Sequence, residues 1–280
     1  MVLLDKLQVS LTVEEGKELI SLGIKKHPKF INSIEKGKIL FKGGTTVSRI
    51  TEKLLNVSLR ISGRVTSRGT VSSNKIIDSP HSILLYNGKW KNIDETISDE
   101  VHGFTNNDLI ICGANAFDYK GRAALMAGSP GGGNVGKSMS SWISEGASVL
   151  IPVGTEKMIP GDLDEIVKRS SRTGKSISWG MAVGLIPLYG ELFTEVEAIK
   201  TIADADCFVI GAGGLGEAQG CTTFEIWGVT DELEKLIKII KNIKTKDLNI
   251  SGDNESLVEC SAICDNCSIH LSCGYKRGVF

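Results

Sequence analysis

Apolar positions along the chain fall into two textures. Short runs such as KILF (38–41), NVSLRIS (56–62), SILLY (82–86), DLIICGA (108–114) and ASVLIPV (147–153) read as strands, the last two as buried ones. AALMA (123–127), DCFVIGA (206–212) and TTFEIW (222–227) extend the series. Between them lie stretches with helical spacing. Thr12 and Glu15 form a capping box ahead of Leu19, Ile20 and Ile24. A short helix follows Pro28 through Phe30, Ile31 and Ile34, and Gly37 ends it. Residues 47–55, 134–145, 163–170 and 233–243 are helical by the same criterion, and Thr194 with Glu197 caps 196–202.

Apolar strands alternating with helices predict an α/β fold: a doubly wound, mostly parallel sheet with N-terminal helices and a C-terminal cysteine-rich metal-binding tail. The expected division is a helical segment at 1–36, a ligand-binding α/β domain at 37–245, and a linker with a metal tail at 246–280. Residues 244–255, KTKDLNISGDNE, are polar enough to read as that linker.

Charge narrows the partners. The 280 residues carry a formal net charge of −1, with 41% hydrophobic and 23% charged residues. No basic field recruits nucleic acid or an acidic membrane, so the expected partner is a small molecule or another protein. The first residues lack the apolar core of a signal peptide, and no run approaches the roughly 20 apolar residues that span a bilayer. The expectation is a cytoplasmic protein that binds neither nucleic acid nor membrane. A homo-oligomer is compatible with the sequence.

Four glycine loops could carry chemistry. Lys42-Gly43-Gly44-Thr45-Thr46 combines exposed backbone N–H groups, a following helix N-terminus, two hydroxyls and a lysine, which together make an anion cradle. The plainer alternative is a tight turn with Thr as N-cap. Gly113 to Asp118, GANAFD, ends a buried strand. There Asn115 and Asp118 are candidate catalytic groups, or members of an Asx-turn. Residues 131–138, GGGNVGKS, match the P-loop pattern letter for letter, with Lys137 for phosphates and Ser138 for Mg²⁺. Pro130 interrupts the approach from AALMA and no later strand ends in Asp, which favours another kind of anion loop built on Gly131, Gly132, Gly133 and Asn134. Residues 211–216, GAGGLG, match G-x-G-x-x-G, but the Gly- and Thr-rich continuation is a poor helix.

Read in order, K-G-G-T-T (42–46), G-A-N-A-F-D (113–118), G-G-G (131–133) and V-G-T-E-K (153–157) resemble the superfamily of ribose-5-phosphate isomerase, CoA transferases, initiation-factor-2B-like sugar isomerases and DeoR-type effector domains. The resemblance spans about residues 38–160. It implies a phosphorylated or carboxylated small ligand held between the first loop and the GAN loop, with Lys157 supplying positive charge. The isomerase pattern has an acid where Asn115 stands, a lysine where Ser129 and Pro130 stand, and a glutamate that has no match here. Asp118 is left as the obvious acid in these loops, with Glu156 and Glu217 as further candidates.

Seven cysteines suit a reducing compartment better than a disulfide framework. Cys260, Cys264, Cys267 and Cys273 read C-x₃-C-x₂-C-x₅-C. Thiolates at that density suit a [4Fe–4S] cluster, with zinc as the alternative. The basic, glycine-rich stretch 171–184 reads either as a lid or as a plain surface loop. Two functions compete: an isomerase- or transferase-like enzyme of small-molecule metabolism, and a non-catalytic ligand or redox sensor. Missing isomerase carboxylates favour the sensor, and the lack of an output domain favours the enzyme.

Overall fold

The computed structural model describes residues 4–73, 77–259 and 270–278. β1 (Leu4–Leu11) leads into α1 (Val13–Ile24), whose capping box is complete: Glu15 N–H donates to the Thr12 hydroxyl and Thr12 N–H to the Glu15 carboxylate. α2 (Pro28–Lys36) starts on proline, with the His27 ring accepting from Lys29 N–H. β2 (Lys38–Lys42) and α3 (Thr45–Leu55) form the first strand–loop–helix unit. Two hairpins follow: β3 (Gly63–Thr66) with β4 (Gly69–Ser72), and β5 (Ser82–Tyr86) with β6 (Lys89–Asn92). The second turns through Asn87 and Gly88, both at positive φ, as a two-residue hairpin requires.

Next come α4 (Ile97–His102), β7 (Leu109–Cys112), β8 (Ala116–Phe117), β9 (Ala123–Ala127), α5 (Gly133–Ser144) and β10 (Ser148–Pro152). The remainder is α6 (Leu163–Arg169), β11 (Gly184–Leu188), β12 (Glu191–Phe193), α7 (Glu195–Ile202), β13 (Ala205–Gly213), β14 (Cys221–Val229) and α8 (Thr230–Lys244).

The central sheet runs β12-β10-β7-β2-β5-β6, parallel from β12 to β2 and antiparallel beyond. Its apolar runs are unbroken because both faces are buried. Ile39, Phe41, Leu109, Ile111 and Leu150 enter one core with α1, α3, α7 and α8. Leu40, Ile110, Cys112, Val149 and Ile151 enter a second core with Ile97 and Val101 of α4 and Trp142 of α5.

Several expectations need correcting. The fold is α/β, but the sheet is mixed, because β5 returns to β2 by a route that reverses it. The first 36 residues are not helical throughout: β1 pairs with β14 along its whole length. β14 and β13 belong to that separate antiparallel sheet, and β9 lies in a third with β8 and β11. Residues 56–62 form no strand, although Val57, Leu59 and Ile61 are buried. Two of their backbone groups pair with residues in or just beyond the stretch expected to be a linker: Asp253 N–H donates to Leu59 O at 2.9 Å, and Ile61 N–H to Ser256 Oγ at 3.0 Å. That stretch is therefore tied to the main body. Among the described residues no helix is long and apolar enough to cross a membrane.

Candidate functional site

β2, β7 and β10 are neighbours in the parallel half of the sheet, so their carboxyl ends open side by side. The loops that follow, Gly43-Gly44, 113–115 and 153–157, meet at a cavity of about 600 Å³. Glu14 and Lys17 of α1, Arg64 of β3, and Met181 and Val183 complete its walls.

At one wall α3 begins without a cap. Gly44, its N-cap, offers no side-chain acceptor to the helix N–H groups. Thr46, 2% exposed, lines the cavity, and its Oγ1 has no hydrogen-bond partner. Lys42 stands beside it with no ion-pair partner among the described residues. Gly43 is required on steric grounds, since a Cβ there would overlap the ring and the carbonyl oxygen of His81.

Another part of the lining, next to α3, carries mixed charge. The Glu14 carboxylate binds Lys17 at 2.5 Å and Arg49 at 3.1 Å. Lys157 and Glu156 are half-buried and make no ion pair among the described residues. Burial, above all, pulls the Lys157 ammonium below its usual value. Behind them Glu195 is buried, and Thr155 N–H donates to its carboxyl at 2.9 Å. Burial first, then the charge of Glu156, raises Glu195 to about 7.

Lys42, Gly43, Gly44, Thr45, Thr46, Asn115 and Lys157 all line this cavity. Asn115 Oδ1 accepts from Met126 N–H at 2.9 Å, which fixes the side chain. Asp118 is not among the lining residues. Its carboxylate, 1% exposed, accepts from Lys120 N–H at 2.9 Å, Leu163 N–H at 3.0 Å and Arg122 Nε at 2.8 Å, and also pairs with Arg122 Nη2. Burial would raise its pKa, but these donors outweigh burial and bring it to about 2. The group expected to be catalytic is thus a structural clasp between β8, β9 and α6.

Gly131, Gly132 and Gly133 turn at positive φ between β9 and α5. Gly132 lines a smaller pocket of about 110 Å³, which shares Lys42 and His81 with the main cavity. Asn134 lines neither; its Nδ2 donates to Asp94 O at 3.0 Å. The P-loop match does not make a P-loop. α5 already starts at Gly133, so Ser138 lies inside the helix, buried, donating to Val135 O at 2.8 Å and accepting from Trp142 Nε1 at 3.1 Å. The G-x-G-x-x-G match ends edge strand β13 and leads through a single 3₁₀ turn, Gly216–Ala218, back into β14 rather than into an α-helix; Glu217 within that turn is exposed.

Sequence reasoning passed over His81, Lys17, Glu14, Arg64 and Glu195. One signal was available. Gly16 sits inside α1, where glycine is unfavourable, and a Cβ there would strike the Glu195 carboxyl. Cys260, Cys264 and Cys267 lie outside the described residues. Cys273 is buried, and its neighbours are pinned to the 171–184 stretch: Gly274 N–H donates to Ser178 O at 2.9 Å, and Ser178 N–H to Ser272 O at 2.8 Å. That stretch is itself held by Met181 N–H donating to Thr70 O at 2.5 Å, so it forms a fixed wall.

The chain matches no family model, no curated protein and no solved structure.

Proposed function

We propose that this protein is an enzyme of small-molecule metabolism that binds a phosphorylated or carboxylated substrate in the cavity at the ends of β2, β7 and β10. The carrying observation is the buried, unpartnered Oγ1 of Thr46 at the uncapped start of α3, beside Lys42. A buried hydroxyl without a partner is unfavourable, and a free helix N-terminus next to a lysine attracts negative charge. An anion at this place satisfies all three groups at once. The likeness of the KGGTT, GAN and GTEK loops to the sugar-phosphate isomerase and CoA-transferase superfamily supports the same reading.

In this scheme Lys42, Thr45 and Thr46 hold the anion and Asn115 contacts the reacting end. Glu156 takes the acid–base role first assigned to Asp118, since its carboxylate lines the cavity and is not consumed by an ion pair. Lys157, which lines the cavity and makes no ion pair among the described residues, stabilises negative charge that develops on the substrate. The four cysteines are proposed to hold a [4Fe–4S] cluster, with zinc as the alternative; the thiolate donor set fits both, and Cys273 is shielded from solvent. A cluster supplies electron transfer or Lewis acidity, and zinc a structural clamp.

Titration calorimetry with inorganic phosphate tests the anion site. Saturable binding that Lys42→Ala weakens by tenfold or more is expected. Undetectable binding by the folded wild-type protein at millimolar phosphate would remove the basis for the proposal.

A further inference from the structure

His81 takes part in no sequence motif, yet it stands where the main cavity and the smaller pocket join, next to Lys42. Its position is fixed from several sides. The backbone N–H donates to the Asp94 carboxylate at 3.0 Å, and Asp94 is held by Arg60 at 2.9 Å and by Ser82 N–H at 2.6 Å. Gly43 packs against the ring so closely that no Cβ fits between them. Nδ1 lies 2.8 Å from the carbonyl oxygen of Arg60.

That last contact decides the tautomer. A carbonyl oxygen only accepts, so Nδ1 carries the proton and Nε2 presents a lone pair. Burial, reinforced by the neighbouring Lys42 charge, lowers the imidazole pKa to about 4, which keeps the second proton off at neutral pH. The ring's one hydrogen bond among the described residues is that of Nδ1, which leaves Nε2 without a partner there. A fixed, uncharged acceptor of this kind attracts an O–H or N–H donor and repels a second anionic oxygen.

We propose that His81 is a specificity-determining residue whose Nε2 accepts a hydrogen bond from a donor group on the substrate, a few atoms away from the anion held at α3. This rests on the anion site proposed above. It predicts a ligand with one anionic end and a neutral hydrogen-bond donor near it, and it disfavours dianionic ligands with charge at both ends. The smaller pocket, with Ser62, Ser129 and Gly132 on its walls, gives that donor-bearing fragment somewhere to sit.

A matched pair of probes, ethyl phosphate and 2-hydroxyethyl phosphate, isolates the effect. Wild-type protein should bind the hydroxylated probe about tenfold more tightly, the worth of one good hydrogen bond. His81→Leu should abolish that ratio, and His81→Gln should restore part of it. Nitrogen NMR of imidazole-labelled protein gives a second readout that needs no variant: Nε2 should remain unprotonated from about pH 5 to 8 and shift on adding the hydroxylated probe only. Phosphate binding without hydroxyl preference, or a preference that survives in His81→Leu, overturns the role of His81 and spares the anion site. No binding of any phosphate by the wild-type protein overturns both.

Discussion

The backbone N–H of Thr155 donates to the buried carboxyl of Glu195 at 2.9 Å, joining the first turn of α7 to the loop that carries Glu156 and Lys157. The carboxyl is raised to about 7, by burial first and then by Glu156. Below about pH 4.5 the folded and unfolded chains both hold this proton, and stability is unaffected. From there to about pH 7 the unfolded chain releases it while the folded chain retains it, so stability falls as pH rises, by roughly 3 kcal/mol in all. Glu195→Gln keeps the acceptor and removes the titration. The variant should gain on wild type between pH 5 and 8 by most of that amount in urea denaturation; parallel profiles would show that Glu195 titrates normally.

Asp118 predicts the opposite kind of outcome. Its folded pKa is lowered to about 2, so its contribution is present above the ordinary carboxylate range and is lost as pH falls toward 2. Asp118→Asn should lower stability by about 2–3 kcal/mol, because Arg122 loses its buried partner while keeping Asp162 and Asp164. Phosphate affinity of the folded variant should stay within about twofold of wild type. A large loss of affinity with unchanged stability would return Asp118 to the site.

Thr46→Val separates ligand binding from folding. The substitution is close to isosteric and removes a buried hydroxyl that has no partner in the free protein. Thermal stability without ligand should be unchanged or higher by up to about 1 kcal/mol. Phosphate binding should weaken by about tenfold or more, the worth of a hydrogen bond to a charged group. A drop in ligand-free stability would mean that the hydroxyl already has an internal partner.

Metal content tests the tail. Protein purified without oxygen should carry about four irons per chain and a broad visible absorption that bleaches on reduction. One zinc and no visible band would favour the structural alternative. Replacing Cys264 by Ser should lower the metal content in either case, and an unchanged content would exclude Cys264 as a ligand.

Much of this was written in local pattern. The capping boxes at Thr12 and Thr194, the strand runs 38–41, 108–114 and 147–153, and the glycine loop 42–46 follow from propensities and spacings that act over a few residues. Because strands of a parallel sheet open at one end, the convergence of those loops was also foreseeable in kind. What one chain position cannot reveal is which distant group answers it. Leu59 and Ile61 look like strand residues until Asp253 and Ser256 supply their partners. Asp118 looks like a base until Arg122 and the N–H of Leu163 close around it, and Ser138 looks like a phosphate-site hydroxyl until α5 begins five residues earlier. His81, invisible as a motif, gains its tautomer from Arg60, its setting from Asp94 and Gly43, and its uncharged state from burial beside Lys42. Composition and periodicity set the elements, because those depend on neighbours in sequence. The protonation states and free valences that make chemistry depend on neighbours in space, and only the tertiary structure assembled them.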